Sequence, residues 1–73
     1  MTKQQLIEKI EQGITKTEQQ IERLEIALDK AMTGEAPEYV IAMIQFRLLA
    51  ATARLAKLQS ALDELLLTEP ING

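Results

Sequence analysis

Two apolar stripes, each advancing in steps that alternate between three and four residues, decide what this chain can become. The first is Ile7, Ile10, Ile14, Thr17, Ile21, Leu24, Leu28 and Ala31; the second is Ile41, Ile44, Leu48, Ala51, Leu55, Leu58, Leu62 and Leu65. A 3.5-residue repeat is the signature of left-handed supercoiled helices that pack knobs into holes. One break separates the stripes, Thr33-Gly34-Glu35-Ala36-Pro37. Gly34 suits a left-handed position just past a helix, and Pro37 suits the first turn of the next. Thr2, with Gln5 three residues on, reads as a capping box. The pattern predicts a helix over residues 3–32, a connection over 33–36, a second helix over 37–67 and a tail over 68–73. The ending Glu69-Pro70-Ile71-Asn72-Gly73 cannot continue a helix. Two long helices joined by so short a connection run antiparallel. The expected fold is all-α: one two-helix antiparallel coiled-coil hairpin, able to associate into a larger helical bundle.

The register follows from arithmetic. If Ala31 faces Ile41, the index sum is 72, and the same sum pairs Leu28 with Ile44, Leu24 with Leu48, Ile21 with Ala51, Thr17 with Leu55, Ile14 with Leu58, Ile10 with Leu62 and Ile7 with Leu65. Every layer falls on the stripes without a slip, and each alanine meets a large Ile, which evens the layer volumes. Gly13 inside the first helix costs about 1 kcal/mol against Ala. Thr17 is the polar member of the seam, and its hydroxyl is expected to bond a carbonyl one turn back.

Size limits what such a hairpin does alone. The chain has 73 residues, and below roughly 70–80 residues one core rarely supplies more than about 3–5 kcal/mol. With no Cys there is no disulfide framework, so the expected supplement is a partner chain. Net charge is −3, which argues against nucleic acid as the main ligand. The N-terminus is polar, and no signal peptide is expected. The longest uncharged apolar run, Tyr39 to Phe46, falls far short of a membrane span, so the expected location is the cytoplasm.

The two segments differ outside their seams. The first carries Glu8, Glu11, Glu18, Glu22, Glu25 and Asp29 beside its seam, and Lys9, Lys16, Arg23 and Lys30 on one line; only Leu6, Ile26 and Met32 interrupt this polar surface. The second carries another apolar stripe, Ala42, Phe46, Leu49, Ala53, Ala56 and Ser60, widened by Met43 and Ala50. That stripe lies opposite the seam, where a lone hairpin exposes it to water. Contiguous apolar surface of this kind marks a partner site, so these eight residues are the candidate protein interface. An antiparallel copy at index sum 102 sets Phe46 on Ala56, Leu49 on Ala53 and Ala42 on Ser60, a self-complementary pattern. The bland alternative is that alanine is simply a good helix former on a solvated face, but propensity does not account for Phe46, Leu49 and Met43.

Catalytic chemistry is missing from the inventory. The chain has no His, and its one Ser, Ser60, has no imidazole to activate it. Glu18, Glu22 and Glu25 have the spacing of a di-metal bundle, but such sites need inward-facing Glu and Glu-x-x-His pairs. A solvated face explains them. No glycine-rich phosphate loop is present. No enzyme, cofactor or metal centre is expected. The Lys9, Lys16, Arg23, Lys30 line is what a Rop-like RNA-binding hairpin would use, but acids flank it and no aromatic interleaves it. A membrane surface would need a basic row beside the apolar one. A helical partner remains.

The connection Gly34-Glu35-Ala36-Pro37-Glu38-Tyr39, with the chain length and the two helices, resembles the YscE-type small cochaperones of bacterial type III secretion systems. In that family a Gly, two or three residues and an acidic residue precede a Tyr at the start of the second helix. The resemblance implies pairing with a larger TPR-like chaperone, which together hold the needle subunit soluble and unpolymerised in the cytoplasm before export. It also implies that Tyr39 packs at the hairpin end. The rival readings are a homodimeric four-helix-bundle structural or adaptor protein, the needle protomer itself, and the Rop-like RNA binder. The Glu-Pro-Ile-Asn-Gly ending argues against a polymerising needle subunit.

Overall fold

Thr2 opens the first helix by a reciprocal cap. Its Oγ1 accepts from the Gln5 amide at 3.1 Å, and the Gln5 Oε1 accepts from the Thr2 amide at 3.0 Å. The computed structural model describes residues 2–67. Helix α1 spans Lys3–Thr33 and α2 spans Glu38–Leu67, and they pack along their lengths as a hairpin. The expected tail over 68–73 lies outside the described residues.

The turn corrects two expectations. Helix α1 runs one residue further than residues 3–32, through Thr33, whose Oγ1 donates to the Asp29 carbonyl at 2.9 Å. The left-handed position therefore moves from Gly34 to Glu35, which has φ 59°. Gly34 itself has φ −89°. The Gly34 amide donates to the Lys30 carbonyl at 2.8 Å and the Ala36 amide to the Ala31 carbonyl at 2.9 Å, the long bond of a Schellman turn. Gly34 serves by close approach instead: a Cβ there would lie 2.9 Å from the Lys30 carbonyl oxygen. Pro37 stands just before α2 rather than inside it, and its carbonyl accepts from the Val40 and Ile41 amides at 3.0 and 3.3 Å.

The seam is where the repeat puts it. All sixteen stripe residues are buried or half-buried. Among the described residues only Thr17, 3% exposed, and Ala51, 5% exposed, count as buried, and both lie in the middle layers of the hairpin. The Thr17 hydroxyl donates to the Gly13 carbonyl at 2.7 Å, so its polarity is satisfied within its own helix. The seam is wider at places along one flank, though Leu6, Gln20, Arg47 and Arg54 of that flank are exposed. Gly13, Ala27, Val40 and Ala61 are half-buried, while the corresponding residues of the other flank, among them Glu11, Glu18, Gln45 and Thr52, are exposed. Gly13 is covered by Leu58: a Cβ built on it would meet the two Leu58 methyls at 3.5 and 3.7 Å, ordinary contact distances. That contact is one residue from the expected pairing of Ile14 with Leu58. Among the described residues no large side chain is fully buried, and the hairpin measures only 16 × 14 Å across its axis.

Candidate interaction surface

The residues of α2 that do not face α1 are placed by helical periodicity. Roughly 100° of rotation per residue carries positions 42, 46, 49, 53, 56 and 60 to the side away from the seam. Ala42, Met43, Phe46, Leu49, Ala50, Ala53, Ala56 and Ser60 are all exposed. Among the large members Phe46 is 73%, Leu49 70% and Met43 52% exposed. The large residues cluster toward the turn and the small ones follow along the helix. α2 is therefore apolar on two opposite sides, one covered by α1 and one uncovered.

Tyr39 belongs to the uncovered side. It is 70% exposed, so it does not pack at the hairpin end as the family resemblance implied. Its position is seven residues before Phe46, which puts it on the row facing away from α1. The 3.5-residue spacing that defines the stripe, extended one step toward the turn, would have found it.

α1 presents a different surface. Lys9, Lys16, Arg23 and Lys30 are all exposed on one line, and Glu8, Glu11, Glu18, Glu22, Glu25 and Asp29 are exposed on two rows further round the helix. Among the described residues no group of three or more acidic side chains is arranged to hold a metal ion. The surface carries shallow hollows, among them one on α1 lined by Glu8, Glu11, Gln12, Thr15 and Lys16, and one across the helices lined by Gln20, Arg47, Ala50, Ala51 and Arg54. Lys3 was missed as a seam residue. It lies four residues before Ile7, in step with the stripe, and its Nζ is buried with no hydrogen-bond partner among the described residues.

The length of the apolar run also needs correction. By length and composition α2 is sufficient to cross a membrane, with a mean hydropathy of 1.3 over its most apolar window. Residues 39–56 hold only Arg47 and Arg54 as charges, and counting uninterrupted runs overlooks such a window. The apolarity of that window is the sum of two sides, the half-buried seam residues Val40, Ile41, Ile44, Leu48 and Leu55 and the exposed face just described. Compared with known proteins, the chain matches no family, no curated protein and no solved structure.

Proposed function

We propose that this hairpin is a non-catalytic protein-binding module that offers the outer face of α2 to the helices of a partner. The observation that carries the reading is the exposure of Phe46, Leu49 and Met43 on one continuous side of a helix whose opposite side is already packed. Binding here is burial. Each Å² of apolar surface removed from water contributes roughly 25 cal/mol, part of which offsets the loss of freedom on association. A helix laid on this face would meet large anchors at one end and a small-residue channel along the rest.

The finer proposal follows the family resemblance: a cytoplasmic secretion cochaperone that pairs with a TPR-like chaperone and, through it, keeps a needle subunit unpolymerised. A helical-repeat partner supplies the kind of concave apolar surface the α2 face fits. Crossing a membrane would strip α2 from α1 and leave the α1 seam bare, beside a helix too charged to follow it into lipid. The hairpin seam thus favours a water-exposed α2 whose face is covered by protein.

Co-expression with the TPR-like chaperone and needle subunit of a type III system tests this. The expected result is a soluble complex containing this chain, lost on Phe46→Asp while the variant stays helical. Failure of the wild-type chain to join the complex overturns the cochaperone reading. Joining through Phe46→Asp as well as wild type overturns the choice of surface.

A further inference from the structure

We propose that the outer face of α2 closes on a second copy of this chain, antiparallel about a two-fold axis beside Ala50 and Thr52. The inference rests on the reading of this face as a helix-docking surface and names one occupant for it. Its basis is the size gradient along the exposed residues. At index sum 102, Phe46 falls on Ala56 of the second copy, Leu49 on Ala53, Ala42 on Ser60, and Tyr39 on Asp63. Each of the three largest groups in these layers therefore meets a small or polar one, and the symmetry repeats every pair. The Tyr39 hydroxyl, on an exposed side chain, is placed to donate to the exposed Asp63 carboxylate of the second copy. A parallel pairing would stack Phe46 on Phe46 and leave Ala53 facing Ala53, with gaps beside clashes.

The flanking rows agree. The same register sets Met43 beside the aliphatic stem of Lys57, and Gln45 beside Gln59, with no like charges opposed in these pairs. At the axis Ala50 meets its own copy on one side and Thr52 meets its own copy on the other. The Thr52 hydroxyl already donates to the Leu48 carbonyl at 2.8 Å, so no unsatisfied donor is carried into the contact. Phe46, Leu49 and Met43 together leave roughly 300–400 Å² exposed per chain. With the small residues added, the contact reaches about 1,200 Å² in total, the lower edge of stable interfaces, which suits an association at about micromolar concentration. Because this face lies opposite the seam, the assembly is a flat row of four helices in the order α1, α2, α2, α1, not a square bundle.

The chain contains no cysteine, so single cysteines report on the contact directly. Purified full-length Ala50→Cys, Ala42→Cys, Ser60→Cys and, as a control on α1, Lys16→Cys are treated with a short thiol-to-thiol crosslinker. Light scattering reads the mass of the uncrosslinked chain over about 1–300 µM, a span bracketing the expected affinity. The expected result is a two-chain mass at the upper concentrations and Ala50→Cys linking at least about tenfold faster than Lys16→Cys, the contrast between a held pair and chance collision. Ala42→Cys alone should match the control, and a mixture of Ala42→Cys with Ser60→Cys should link fast. Equal rates for Ala42→Cys and Ala50→Cys would overturn the antiparallel register. A one-chain mass throughout, with control-level linking, would overturn self-pairing, as would movement of single chains onto phosphatidylglycerol vesicles. Those two results leave the heteromeric reading to its own co-expression test, so the two failures are told apart.

Discussion

α1 and α2 are nearly the same length, 31 and 30 residues, and carry the same alternating seam, yet one is finished by the hairpin and the other is not. α1 turns mostly charged and polar side chains to water, with only Leu6, Ile26 and Met32 as large apolar exceptions. α2 turns Phe46, Leu49 and Met43 to water on the side away from α1. The seam specifies which helix pairs with which, because a 3.5-residue repeat has one solution at each index sum. The second stripe carries the proposal that the pair is not the final state. Substitution separates the two roles, because the same change of chemistry has different consequences on the two sides of α2.

The largest effect should come from the seam. Ile21→Asp places a charge in the central layers beside Ala51 and should remove most of the about 3–5 kcal/mol available to a core of this size. The cooperative thermal transition seen by circular dichroism should vanish; a transition near wild type would refute the sum-72 register. Phe46→Asp is the counterpart on the outer face. It should leave the helical signal intact and weaken association by about a hundredfold or more, as truncating a central aromatic anchor does; unchanged association in sedimentation would erase the distinction between the two sides of α2.

Smaller effects sharpen the account of α1. Gly13→Ala should stabilise the hairpin by about 1 kcal/mol, read from the denaturant midpoint, because the new methyl meets Leu58 at ordinary contact distance and a flexible glycine is removed from a helix interior. The smallest effect belongs to the turn. Glu35→Gly should raise stability by at most about 1 kcal/mol by relieving a left-handed non-glycine backbone, partly offset by the greater freedom of the unfolded chain. Gly34→Ala should act in the opposite direction, since its methyl would press on the Lys30 carbonyl.

The hairpin was legible because its information is periodic. Sixteen residues repeat one spacing, and the structure covers all of them. The N-terminal cap was legible for a similar reason: Thr2 and Gln5 interact three residues apart, within a single turn. What escaped was set by one-residue phase or by neighbours distant in sequence. The left-handed residue is Glu35 because Thr33 extends the helix, and nothing in Gly34 itself says where the last turn stops. The wider flank at Gly13 and Ala61 is invisible until two helices are laid together, since each residue alone looks like a helix weakness or a helix filler. Family likeness implies that Tyr39 packs at the hairpin end, and its phase along the helix places it outside instead. The outer stripe was legible as exposed apolar surface, but a single chain carries no mark of its occupant beyond shape.

Thinness has a consequence of its own. With no large side chain fully buried among the described residues, every layer of the seam lies within one side chain of water. The amide protons of such a molecule are guarded by helix geometry more than by depth, and local fraying should let deuterium reach much of the backbone without global unfolding. An occupant on α2 would change that unevenly, slowing exchange along the covered helix while leaving much of α1 as open as before. A two-helix protein of this kind carries its binding history in its isotope uptake, helix by helix.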